Sequence, residues 1–384
     1  MVKFQSAVEV IQGVVSELED PRVVGRTLHS LVDIFVIALC GVLSGGESWE
    51  EIVDHAEDRK EWLGGFLELR NGIPSHDTVE RVFQRMWPEE LHRLLEGLSG
   101  ALHETFSGEI VSIDGKSLRG SFDRLLNQRM KHVVSAYVGE SGVTIAQVAV
   151  SEKSNEITAI PEILKLIDIE GATVTLDAMG CQTAIVADIS DKNGDYVIGL
   201  KGNQGELHKA VEQFFASVTF EDCMRDSDPT VFLSVDKGHG RIEERAYFID
   251  DDVNWLPGFS RWSGLSSIGM VISRRAIGEK VTEERRFFIS SLAPFAEPFA
   301  KAVRQHWLIE NGSHYVLDVT FGEDRSRIRR DFAAENMAII RRVAHTLIKT
   351  DTTTRMSVRR KIRRANRSTE YLARILTAPL QKQL

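Results

Sequence analysis

The hydrophobic periodicity of this chain changes near residue 105, and the order of elements after that change most narrows its fold. Before it, apolar residues recur at three- and four-residue intervals through "SLVDIFVIALCGVL", "SWEEIVDHAEDRKEWLGGFL" and "PEELHRLLEGLSGALHETF", which predicts helices over residues 1–105. "NGIPSHDTVERVFQRMW" adds a turn and an amphipathic helix with Ser75 at its N-cap, an outline that suits a DNA reader or a packing hairpin. After it come three β-rich runs, "EIVSIDG", "KHVVSAYVG" and "VTIAQVAVS", the last two joined by the hairpin loop "ESG". "SNEITAIPEILKLI" then reads as a helix, "ATVTLDAMG" as a strand, "CQTAIVADISDKN" as a helix and "DYVIGLK" as a strand. Three strands, a helix, a strand, a helix and a strand predict an α/β fold with a mixed sheet flanked by helices.

That order is the ribonuclease-H-like arrangement, in which the first and fourth strands lie side by side. Asp114 and Asp177, each at a strand end, would then meet at one sheet edge. From 205 to 292 the pattern turns into antiparallel strands, and long helices return at "PFAKAVRQHWLIENGSHYVLDV" and "FAAENMAIIRRVAHTLIKT". The expected organisation is a helical N-terminal domain over 1–105 that suits DNA binding, and a ribonuclease-H-like domain over 106–204 and 293–350. A β-rich insertion fills 205–292, and a basic tail 351–384.

Charge matters through its distribution. The net charge of −9 by itself disfavours a polyanionic partner, yet Arg341 to Arg374 hold 11 Lys and Arg against only Asp351 and Glu370. Residues 1–60 hold 11 acids against 5 bases, so the chain is polarised toward a basic end that suits a polyanion or a solvated tail. The opening residues lack the long apolar core of a secretory signal. "LVDIFVIALCGVLSGG" carries Asp33 and is shorter than the ~20 residues that span a bilayer, so it reads as a buried helix. Cys40, Cys181 and Cys223 form no CxxC pair, which excludes a disulfide framework or structural zinc site and fits a cytoplasmic protein.

Two segments carry chemistry. "IVSIDGKSLRGS" delivers Asp114 to a strand end and follows it with Lys116 and Arg119. A hairpin turn explains the Asp-Gly pair; a metal-binding carboxylate facing an anionic substrate explains the basic residues too. In the helix expected over 296–318, His306, Glu310, His314 and Asp318 recur every fourth residue and would share one face. Asp114, Asp177 and Glu310 together offer the carboxylate oxygens that Mg²⁺ or Mn²⁺ prefers, suited to in-line phosphoryl transfer with paired ions about 3.5–4 Å apart. A zinc hydrolase built on His306, Glu310 and His314 is the rival, but the chain lacks the HExxH spacing that such a site uses.

"IVSIDGKSLRGS", "TVTLDAMGCQ", "YVIGLKGNQ", "GHGRIEERAYFI" and "RQHWLIENGSHYVLDVTFGEDRSR" resemble the motif series of insertion-sequence transposases of the H-repeat-associated type, within the DDE group. The resemblance runs from about residue 5 to 350 and implies a DDE triad of Asp114, Asp177 and Glu310 holding Mg²⁺. The 132 residues between Asp177 and Glu310 would hold the insertion. It implies cleavage at transposon ends, strand transfer into target DNA, terminal inverted repeats as partners, and a homodimer in the synaptic complex, with no membrane partner. The Tyr, Arg and Lys that related enzymes place around the glutamate are replaced by Val303, His306 and Leu317. The expected phosphate grip therefore falls to Lys116, Arg119, Lys201, Arg304, His306, Arg325 and Arg327. A catalytically decayed or repurposed DNA-binding protein is the alternative.

Overall fold

The computed structural model describes residues 6–23, 25, 27–122, 129–150, 155–224, 228–238 and 240–380. The chain divides into two compact units. One holds residues 1–105, 115–155 and 309–384, the other 106–114 and 156–308. One division therefore falls inside a strand, directly after Asp114, and another two residues before Glu310.

In the first unit, the helices are α1 (Ala7–Ser16), α2 (Leu31–Leu43), α3 (Trp49–Glu57), the short α4 (Lys60–Leu63), α5 (His76–Arg85) and α6 (Pro88–Leu102). Their starts are written locally. Ser6 and Glu9 form a capping box at α1, Ser30 and Ser48 cap α2 and α3, and Ser75 takes the N-cap position of α5. The apolar stretch around Asp33 is indeed a buried helix of 13 residues. Asp33 is tolerated there because its carboxylate accepts the backbone N–H groups of Glu68 and Leu69, each at 3.1 Å.

Strand β1 (Ile110–Leu118) begins the β region, and its last residues belong to the first unit, as does the hairpin of β2 (Lys131–Val138) and β3 (Val143–Val150). Near the chain's end, α12 (Ala333–Thr350) packs on α2, α5, α6 and β3 and is buried along most of its length. Helices α13 (Val358–Arg367) and α14 (Thr369–Thr377) follow.

The second unit is a mixed sheet. Strand β1 pairs in parallel with β4 (Thr173–Leu176), which pairs in parallel with β5 (Asp195–Leu200), while α7 (Glu156–Leu166) and α8 (Thr183–Asp191) make the crossovers. The expected adjacency of the first and fourth strands is present. After α9 (Gly205–Phe214), strands β6 (Val231–Gly238), β7 (Arg241–Asp250), β8 (Ser267–Ile277) and β9 (Lys280–Ser290) form an antiparallel meander. The meander does not stand apart, because β9 pairs with β5 (Val197↔Ser290) and extends the same sheet. Helix α10 (Ala296–Leu308) packs Phe299, Ala302 and Val303 against Ile110, Val197, Tyr247 and Val271, an apolar layer that fixes the helix under the sheet.

The expected single helix over 296–318 is broken. Ile309–His314 is a π-helical turn, and α11 (Tyr315–Val319) follows it. Asn311 and Gly312 are weak α-helix formers, and a Cβ at Gly312 would meet the Tyr137 hydroxyl at 3.2 Å. A wider turn spoils four-residue spacing, so the stripe of Glu310, His314 and Asp318 does not form. No helix of the described residues is long and apolar enough to cross a membrane.

Candidate active site

Parallel pairing of β1 and β4 runs in register through Ile110↔Thr173, Val111↔Val174 and Ser112↔Thr175. Two residues beyond the last of these pairs, Asp114 lies within β1 rather than at the strand end expected of it, and Asp177 stands just past β4; continued to them, the register would bring the two backbones to about the 4.8 Å spacing of neighbouring strands. The strand-to-helix turn after β4 orients Asp177: its Oδ1 accepts the backbone N–H of Met179 at 2.9 Å and of Gly180 at 3.3 Å. The residue thus acts as a cap and still presents its carboxylate to solvent. Asn203 Nδ2 donates to the Ala178 carbonyl at 2.6 Å and Gln204 Nε2 to the Cys181 carbonyl at 2.8 Å. These bonds tie the loop after β5, which carries exposed Lys201, to the loop of Asp177.

Directly behind the two aspartates runs a hydrogen-bonded chain that sequence reasoning missed. Ser112 Oγ donates to the Gln305 carbonyl at 3.3 Å, and Thr175 Oγ1 donates to Ser112 Oγ at 3.0 Å. His306 Nδ1 lies 3.0 Å from Thr175 Oγ1. Because each hydroxyl has already spent its proton, His306 must donate from Nδ1 and keeps a lone pair on Nε2. Burial pushes the imidazole down to about 4, against the pull of the Asp177 carboxylate. His306 is therefore neutral at pH 7 and holds strand β4, which corrects the expectation that it grips DNA phosphate by charge.

A consequence concerns acid stability. The lowered value means that the unfolded chain takes up the proton first, so His306 contributes stability above about 6.5 that is lost as pH falls toward 4. His306→Gln, which keeps a donor for Thr175, removes that titration. Its folding free energy should fall less steeply between those limits, by up to about 1.4 kcal/mol per pH unit, in urea melts across the range.

The other expected DNA contacts separate. Lys116 is 7% exposed, and its Nζ lies 2.5 Å from Asp318 Oδ1 and 2.9 Å from Glu323 Oε2. An amine so enclosed and so neutralised does not reach a phosphate, and the expectation that it does is corrected. Glu323 is also bound by the fully buried Arg342 at 3.2 Å. Burial raises its proton affinity, but Arg342, Lys116 and Arg341 outweigh this and hold the carboxyl at about 2. Asp318 thus serves this buried network. Arg119 is exposed and loosely paired with Asp324 at 3.5 Å, Arg304 pairs with Asp236 at 3.0 Å, and Arg325 with Glu47 at 2.5 Å. Arg327 is exposed, and no carboxylate among the described residues stands within ion-pair distance of it or of Lys201. His239 of the "GHGRIEERAYFI" motif lies outside the described residues.

Glu310 opens the π-turn of the first unit and is exposed, whereas the two aspartates belong to the second. Among the described residues, no group of three or more His, Cys, Asp or Glu side chains stands together to hold a metal ion. The zinc alternative finds no ligand cluster either: among the described residues His306, Glu310 and His314 do not stand together as a metal-holding group.

Comparison with known proteins adds independent findings. A family model described as Transposase DDE domain matches residues 105–347, and one described as DDE_Tnp_1-associated matches residues 13–97. The putative transposase YncI of Escherichia coli O157:H7 is 39% identical, over 95% of this chain and 93% of its own length. The H repeat-associated putative transposase YhhI of Escherichia coli K12 is 37% identical, over 94% and 96% respectively. A solved piggyBac transposase synaptic complex with hairpin DNA is 12% identical, covering 98% of this chain and 79% of that one, at a TM-score of 0.40, too slight a likeness to argue from.

Proposed function

Since this chain belongs to the Transposase DDE domain family, we propose that it is an enzyme that cuts DNA at the ends of its own insertion element and joins those ends to target DNA. The observation that supports this reading is the parallel register of β1 and β4, which, continued by two residues, would bring Asp114 beside Asp177 inside the segment that the family model matches. Asp114, Asp177 and Glu310 would together hold Mg²⁺, with Mn²⁺ as a substitute. When bound, the cation supplies Lewis-acid stabilisation of the phosphoryl oxygens and a more acidic attacking hydroxyl.

The reaction is two in-line displacements at phosphorus. In the first, water adds to the phosphodiester at the element's end, the P–O3′ bond breaks and a 3′-hydroxyl is released, with the water proton leaving to solvent. In the second, that 3′-hydroxyl loses its proton and attacks a target phosphodiester, displacing a target 3′-hydroxyl. The protein's task in both is to place the oxygens in line. The bonds to Met179 and Gly180 fix the Asp177 carboxylate for that purpose, and the Ser112–Thr175–His306 chain fixes the two strands that carry the aspartates. Lys201, exposed on the loop tied to Asp177, would meet the DNA backbone, and Arg119 and Arg327 are further candidates. Pairing of two ends would call for a homodimer, and the protein would work in the cytoplasm, where the DNA lies.

The test is incubation of the purified protein with a duplex carrying its own element's termini, with and without Mg²⁺. The expected product is a nick at the terminus that appears only with the cation. Retained binding to that duplex with no cleavage in Mg²⁺ or Mn²⁺ would favour the alternative, a repurposed DNA-binding protein.

A further inference from the structure

Both family models end before residue 348, yet the most concentrated charge of the chain lies beyond them. Helix α13, "VRRKIRRANR", carries Arg359, Arg360, Arg363, Arg364 and Arg367, all exposed. At 3.6 residues per turn these five fall within an arc of about 140°. The opposite side holds Lys361, Ile362 and Ala365, all buried. The helix therefore has an anchored face and a cationic one.

The anchor is specific. Lys361 turns inward, donating to the Ile348 carbonyl at 3.0 Å and to the Asp351 carbonyl. The Asp351 carboxylate also accepts the Tyr371 hydroxyl of α14 at 2.6 Å. Asn366 donates to the Ser44 carbonyl at 2.9 Å. The guanidinium of Arg364 lies over the Tyr371 ring at 4.7 Å, which orients it while leaving its N–H edge outward.

The outward face is uncompensated. No carboxylate among the described residues stands within ion-pair distance of any of the five arginines, and no acid occurs between Asp351 and Glu370. Several surface arginines elsewhere are paired, Arg274 with Glu221 and Glu283, Arg304 with Asp236, and Arg325 with Glu47, and those that are not, such as Arg327, do not form a row of five on one helix face. In a chain with acids in excess by nine, five adjacent unpaired guanidinium groups are a costly self-repulsion unless a polyanion offsets it.

We infer that the arginine face of α13 is a docking surface for the sugar-phosphate backbone of double-stranded DNA, binding without regard to base sequence. This rests on the transposase reading and names a surface that the family models do not cover. From Arg359 to Arg367 the helix rises about 12 Å, a length over which duplex DNA carries about seven phosphate charges. Guanidinium forks suit phosphate oxygens, and a rigid helix presents them with little entropy left to lose.

The experiment measures affinity of the full chain for a 30-base-pair duplex of arbitrary sequence across a series of NaCl concentrations, without divalent cation. Substituting all five arginines by glutamine should reduce the slope of log K against log salt by about 3–4, out of about 4.5 for five phosphate contacts. The pair Arg359→Gln and Arg363→Gln should reduce it by about 2, while the charge-matched pair Arg274→Gln and Arg275→Gln, already ion-paired, should leave it nearly unchanged. Unchanged far-UV circular dichroism shows that the variants fold. A slope unchanged in the five-fold variant overturns the proposal, as does loss of binding confined to phosphatidylglycerol vesicles, which would assign the face to a membrane surface. Cleavage of element ends is scored separately: a wild type that shows the slope but never cuts removes the transposase reading and leaves this surface standing.

Discussion

Alanine in place of Asp114, Asp177 or Glu310 should abolish the proposed cleavage at the element's ends while DNA affinity stays within about threefold or improves. The loss follows from the chemistry assigned to the three carboxylates. Each would give up a cation ligand, and the charge stabilisation at stake is several kcal/mol, so cleavage falls by at least about a thousandfold. Affinity survives because a carboxylate beside a phosphate repels it, and removing that charge does not weaken the hold of basic residues elsewhere. The readouts are single-turnover cleavage and electrophoretic mobility shift on the same duplex. The three variants should fail alike, and an Glu310→Ala protein that still cuts at the wild-type rate would remove it from the triad while sparing the aspartate pair.

Lys116→Met should destabilise the protein by about 3–5 kcal/mol and leave DNA binding unchanged. The substitution conserves much of the apolar stem but strips the ammonium from between Asp318 and Glu323, leaving buried carboxylates with less compensation. Glu323 keeps Arg342, so the network weakens without vanishing. The effect depends on pH with a definite sign. A carboxyl held at about 2 contributes stability that is complete above about 4.5 and is lost as pH falls toward 2. With Lys116 gone the Glu323 carboxyl moves back up, so acid unfolding should begin at a higher pH. Urea midpoints measured from pH 7 to pH 3 check this, and so does the salt slope of DNA binding. A drop in DNA affinity at undiminished stability would return Lys116 to the phosphate-gripping role that its neighbours in sequence suggest.

The error over Lys116 has a readable cause. Along a strand, alternate residues share a face, and Lys116 alternates with Leu118, which packs against Val133, Ala334 and Ala338. That period was visible in "DGKSL". Which charges waited on the inner side was not, because Asp318, Glu323 and Arg342 lie about two hundred residues further along. His306 failed for a similar reason. A histidine on an expected helix face reads as a cation near DNA, and only its burial against strands from elsewhere in the chain makes it neutral, with Thr175 and Ser112 setting which ring nitrogen donates. The π-turn at Ile309–His314 was foreshadowed by Gly312, but its placement depends on close packing at Tyr137.

The amino-acid sequence alone determined the order of strands and helices, the caps that begin the N-terminal helices and the pairing of the first strand with the fourth, because periodicity and local hydrogen bonding act over a few residues and parallel neighbours follow from that order. The tertiary structure alone decided which cations are spent inside and which remain outside. Charge is a long-range quantity: Lys116 is neutralised by Asp318 and Glu323, some two hundred residues along the chain, whereas the five arginines of α13 stand exposed with no carboxylate among the described residues in ion-pair distance.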